Sequence, residues 1–137
     1  MALTVPVLMR LMSDGFILLY RFAPAFEAYL TPTSFLVLSG EPLADVNYAG
    51  ILDGLDAEER LRRIGDIVKE RDLPFILFLV SEVAAELAPI AHELGLENVG
   101  SMPFMTYEPD APPAPPERYA IEQVRSGKAL KEANDVL

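Results

Sequence analysis

Between two segments of helical periodicity, Pro74-Phe75-Ile76-Leu77-Phe78-Leu79-Val80 runs without one polar side chain. A strand with a solvated face alternates apolar and polar residues, so an unbroken run of this length reads as a central strand covered on both faces. The segment before it starts at Asp56, has Glu59 at capping-box spacing, and places Leu61, Ile64, Ile67 and Val68 on one face, which predicts a helix over 56–71. The segment after it repeats Val83, Leu87, Ile90 and Leu94 at four, three and four residues. Ser81 stands where that helix needs an N-cap, and Gly95 where a left-handed residue ends it. A strand held between amphipathic helices constrains the chain to a layered α/β (α+β) architecture with a mixed central sheet flanked by helices.

Upstream, Val5 to Tyr29 is apolar nearly all round, and reads as one or two buried helices with a break at Asp14-Gly15 and a second at Pro24. Thr31-Pro32-Thr33 is turn chemistry, and Ser34-Phe35-Leu36-Val37-Leu38 has the β-branched and aromatic density of a strand. After a turn at Gly40-Glu41-Pro42, residues Ala44 to Leu52 alternate well enough to pair with that strand as a hairpin. Glu97 to Glu108 is read as extended, with Pro103 implying an edge or a bulge.

Four of the 12 prolines fall within Asp110-Ala111-Pro112-Pro113-Ala114-Pro115-Pro116, a semi-rigid polyproline II spacer. The expected organisation is a domain over 1–108, a linker over 109–117, and over 118–137 the first strand and helix of a following unit. Tyr119 to Val124 alternates as a strand and Gly127 to Leu137 begins an amphipathic helix. A lone strand and a partial helix cannot bury their apolar faces, so they are expected to dock on the first domain, swap into a partner, or belong to a longer chain.

Composition narrows the chemistry. With 51% hydrophobic residues the chain can fold, and with no cysteine it can hold neither disulfides, thiolate nucleophiles nor Cys-ligated metals. That inventory suits a reducing cytoplasm. A net charge of −10 repels phosphate backbones, and the Arg60, Arg62, Arg63 and Lys69 cluster is interleaved with Glu58, Glu59, Asp66 and Glu70 as on a solvated helix face, so nucleic acid is not an expected partner. Arg10, Asp14 and Arg21 interrupt the apolar amino-terminal region before it reaches the length of a membrane span, and no signal-peptide pattern precedes it.

Candidate chemical groups are few. His92 is the only histidine and lies off the apolar stripe of its helix, so no His-rich metal site can form and no metal ligands are assigned. Asp53, Asp56, Glu58 and Glu59 could supply paired carboxylates, yet the dipole and free N–H groups of a helix amino terminus account for acids there. Asn47, followed by Tyr48 and Gly50 inside an apolar strand, must find partners for up to four hydrogen bonds. Asn47 and Tyr48 are therefore the candidate polar site, serving either a ligand or the sheet itself.

The run Ser34 to Asn47, the following helix, the strand Phe75 to Val80 and above all His92-Glu93-Leu94-Gly95-Leu96-Glu97-Asn98-Val99-Gly100 resemble the second half of a GNAT-family N-acetyltransferase over residues 34 to 108. Tyr119 to Leu137 resembles the first strand and helix of another GNAT domain. The resemblance implies a GNAT-like fold, acetyl-CoA as the cofactor of the parent family, and a degenerate module leading a catalytic one. Active members bind the acetyl-CoA pyrophosphate with a Gln/Arg-x-x-Gly-x-Gly/Ala loop, whose bare N–H groups hold anionic phosphate. Here the corresponding stretch reads Asp53-Gly54-Leu55-Asp56-Ala57-Glu58-Glu59, and the tyrosine that many members use as general acid falls near Ala91. Catalytic and cofactor-binding residues are accordingly not assigned, and no cofactor is expected to bind to this chain alone.

The resulting expectation is a noncatalytic amino-terminal region of a GNAT-type N-acetyltransferase, completing or dimerising a catalytic module. The alternative is a stand-alone degenerate module that binds a small ligand or a protein partner. Self-association as a dimer is expected, because the aliphatic amino terminus and the segment after the linker both need covering.

Overall fold

The computed structural model describes residues 3–105 together with 126–128 and 131. The chain divides into two compact units, Met1–Phe104 and Met105–Leu137. The expected linker and the strand over 119–124 lie outside the described residues; of the expected terminal helix, Gly127, Lys128 and Lys131 are helical.

The first unit has an α+β fold with a mixed four-stranded sheet. Its elements are α1 (Val5–Tyr20), β1 (Glu27–Thr31), β2 (Ser34–Leu38), a 3-10 turn (Ala44–Val46), β3 (Asn47–Ile51), α2 (Ala57–Arg71), β4 (Ile76–Leu79) and α3 (Ser81–Glu93). The strands lie in the order β1-β2-β3-β4. The first three form an antiparallel meander, and β4 returns parallel to β3 from Tyr48 opposite Ile76 to Ile51 opposite Leu79. A parallel return needs a crossover, which α2 provides.

Side chains alternate across the meander. Phe35, Val37, Tyr48 and Gly50 share the face that α1 covers, where the Phe16 ring stacks on Tyr48 with centroids 3.8 Å apart. Leu36, Leu38, Asn47, Ala49 and Ile51 share the other, toward α2, whose buried Leu61, Ile64 and Val68 face inward. The second and third helices pack together around Gly65, where an added Cβ would lie 2.9 Å from the Leu94 side chain.

Several expectations change. The strand covered on both faces is β2, buried at all five positions, whereas every residue of β4 is partly exposed and β4 ends the sheet among the described residues. Its apolar run reflects a half-covered edge. The first helix passes through Asp14-Gly15 unbroken, because a glycine costs a helix only about 1 kcal/mol while Met9, Met12 and Phe16 hold both halves to the sheet. Helix does not extend to Tyr29: Glu27–Thr31 is a strand, joined to β2 by the two-residue Pro32-Thr33 connection. Asp56 makes no capping hydrogen bond and adopts a left-handed conformation with φ 50°, which Asp tolerates. Ser81 is the first residue of α3 and not its cap, and its hydroxyl donates to Glu82. Leu96 to Met105 forms no ladder with the sheet, while Phe104 packs on the core. Gly95 does end α3, with φ 80°.

One ion pair ties the edge strand to the crossover. The Arg71 guanidinium donates to both oxygens of Glu27 at 2.6 and 3.1 Å, and the Tyr29 hydroxyl donates to the same carboxylate. Arg71, and then Tyr29, hold the Glu27 carboxyl below its ordinary value of 4.5. A lowered folded-state pKa gives stability that is complete above pH 4.5 and is lost as pH falls through the lowered value. Glu27→Gln is expected to flatten this part of the acid limb. Urea midpoints measured from about pH 6 down to about pH 3 check it, and an unchanged limb in the variant would remove the pair from the account.

Candidate functional site

The loop from β3 to α2 and the polar cluster at the start of β3 are the two places where the sequence put chemistry. Leu52 closes the first, its amide donating to the Thr33 carbonyl. Beyond it the loop folds on itself: the Asp53 carboxylate accepts the Leu55 amide at 2.9 Å, and the Ala57 amide reaches the Gly54 carbonyl at 3.4 Å. Arg60, one turn into α2, donates to the Asp53 carboxylate at 3.0 Å and to its carbonyl at 3.3 Å. Of the four acids, Asp53 is thus part of an internal clamp. Glu58 and Glu59 stand exposed on the first turn, where the helix dipole favours them, and Asp56 is exposed beside them.

Around this loop lies an open depression of about 700 Å³. Asp56, Glu58, Glu59, Asp66 and Glu86 line it with only Arg62 and Arg63 in opposition, and Arg62 is engaged by Glu58 and Glu93 at 3.0 Å each. Such a rim repels an anionic ligand. A second cavity, about 190 Å³, lies between the β1–β2 hairpin and α2 and is lined by Tyr29, Leu36, Arg60, Arg63, Ile64 and Ile67 among others. Its volume is below the roughly 300–1,000 Å³ of pockets that enclose cofactor-sized ligands.

Asn47 is fully buried and every polar atom of its side chain is used. Its Oδ1 accepts the Ser39 amide at 3.0 Å and the Ser39 hydroxyl at 3.3 Å. Its two amide N–H groups are shared among three carbonyls, those of Glu41 and Leu43 at 2.8 Å and of Pro74 at 2.9 Å. The side chain therefore closes the β2–β3 connection and anchors it to the approach of β4. Tyr48 points to the opposite face, stacks on Phe16, and donates its hydroxyl to the Asp45 carbonyl. Burial, with Tyr20 and Asp45 nearby, pushes the Tyr48 phenol above its ordinary value. The two neighbours in sequence are thus separated by the sheet and form no joint pocket.

Elsewhere, Ala91 is partly buried against the core and His92 is exposed in the last turn of α3. No group of three or more His, Cys, Asp or Glu residues is arranged to hold a metal among the described residues. No helix of the described residues is long and apolar enough to cross a membrane. The sequence reading missed the Asp53–Arg60 clamp, although acid and base seven residues apart, straddling a helix start, was a readable signal. Compared with family models, with curated proteins and with solved structures, the chain has no match in any of the three.

Proposed function

We propose that this chain is a noncatalytic GNAT-like module that acts by association, with a catalytic GNAT module or with a copy of itself, in the cytoplasm. The observation that carries this reading is the β3–α2 loop. Where the resemblance puts a phosphate cradle, the Leu55 amide is taken by Asp53, Asp53 is held by Arg60, and the rim is acidic. The antiparallel meander followed by a helix and a parallel strand supports the assignment of that loop to the cradle position. An anionic cofactor would have to approach like charge and displace bonds the loop already makes, at a cost of several kcal/mol, by order of magnitude about 2–5.

Calorimetric titration with acetyl-CoA is expected to show no binding in the micromolar range. A low-micromolar dissociation constant would overturn the reading. Because Asp53 is structural, the informative variant leaves it in place: Asp56→Gly suits the left-handed backbone and, with Glu59→Gln, removes two charges from the rim. Any residual affinity should rise at least about tenfold in that double variant if charge is what closes the site.

A further inference from the structure

A surface helix normally turns charge outward, yet α1 is apolar on the side away from the sheet. Leu11, Leu18 and Leu19 are 55%, 60% and 70% exposed, and Phe22, just past the helix, is 82% exposed. Leu11, Gly15, Leu18 and Phe22 follow at four, three and four residues, which draws one seam along the outer face. At its centre, a Cβ built on Gly15 would meet nothing within 4 Å, so the seam has a shallow, open notch. Asp14 and Arg21 flank the seam on one side, two turns apart; both are exposed and neither has an ion-pair partner among the described residues, the Arg21 guanidinium lying over the Phe22 ring, 4.7 Å from its centroid.

We infer that the outer face of α1 is the contact by which two copies of this chain pair, antiparallel and related by a twofold axis near Leu18. In this register Phe22 of each copy enters the Gly15 notch of the other, Leu18 meets Leu18, and Asp14 comes level with Arg21. Twofold symmetry makes the Asp14–Arg21 match twice. Charge complementarity selects the antiparallel arrangement, since a parallel pair sets Asp14 of one copy on the opposite side of the seam from Arg21 of the other, and two turns from its level. The seam covers roughly 400–500 Å² on each copy, at the low end for specific interfaces, so the dimer is weak, with a dissociation constant on the order of micromolar or tens of micromolar. The inference rests on α1 alone and is independent of acetyl-CoA binding.

Sedimentation equilibrium of the full chain over the micromolar to hundreds-of-micromolar range tests it, with far-ultraviolet circular dichroism confirming that each variant is folded. Leu18→Glu is expected to weaken association at least about thirtyfold. D14R and R21D should each weaken it about fivefold or more, and the double variant D14R/R21D should return to within about threefold of the original. A chain that stays monomeric throughout the range, an unaffected L18E variant, or a double charge reversal that fails to restore pairing each overturns the inference. Flotation of a monomeric chain with neutral phosphatidylcholine vesicles would do the same and assign the face to lipid.

Discussion

Asn47→Ala is expected to destabilise the first unit by about 3–5 kcal/mol, a large share of the 5–15 kcal/mol that holds a domain together. The alanine leaves the buried Ser39 amide and the part-buried carbonyls of Glu41, Leu43 and Pro74 without the partner that satisfied them, around a side chain that is itself fully buried. Asn47→Asp is expected to be at least as damaging at neutral pH, because it points a carboxylate at three carbonyl oxygens in place of an amide donor. Part of that loss should return as the pH is lowered and the acid is protonated, since a neutral carboxyl can donate once. Chemical denaturation of both variants at pH 7 and about pH 4 decides the matter. An Asn47→Ala cost below about 1 kcal/mol would mean that the connection rearranges to satisfy itself.

Gly50→Val is expected to cost about 3 kcal/mol or more, and Gly50→Ala about 1–3 kcal/mol, because the buried Phe35 ring occupies the space above the glycine. A Cβ there would sit 2.2 Å from the ring edge, and Phe35 is 1% exposed, so the ring has no open direction in which to withdraw. Pairing Gly50→Ala with Phe35→Leu should cost less than the sum of the two single changes, with a coupling of about 1 kcal/mol or more. Additive costs would show that the two sites do not share the strain. The adjacent Tyr48 would register a shift of the ring through its stacking on Phe16, so near-ultraviolet circular dichroism offers an independent reading.

What was legible in the sequence follows the strength of local signals. Ser34 to Leu38 is a strand at the residues expected, and α2 and α3 carry their buried faces at the positions their periodicity named, because those patterns report the same burial that holds the elements. The mixed α+β class follows from them. β1 was missed because Glu27 to Thr31 takes its conformation from pairing with β2; its own clue was the two-residue Pro32-Thr33 connection between runs containing Tyr29, Thr31 and Phe35. The break at Gly15 failed for the complementary reason, since packing from Met9 to Phe16 outweighed a helix propensity of about 1 kcal/mol. At the candidate site, the need of Asn47 for partners was readable from its type and setting. The identity of those partners was not, because Pro74 becomes a neighbour only once the crossover has closed.

That last contact bears on the order in which the unit assembles. Asn47 bonds to Glu41 and Leu43, near in sequence and available as soon as β2 and β3 form their hairpin, and to Pro74, which arrives only with the parallel strand. Closing a chain loop around a whole helix is slow beside closing a hairpin, so the meander has the kinetic advantage and β4 joins a preformed edge. Until then both N–H groups of the Asn47 amide can be taken by Glu41 and Leu43, and the Pro74 carbonyl joins afterwards as a further acceptor sharing one of them. The Asn47–Pro74 contact therefore marks the docking of β4 on a connection that is already closed, while the register of β4 is set by its ladder with β3 from Tyr48 opposite Ile76 to Ile51 opposite Leu79.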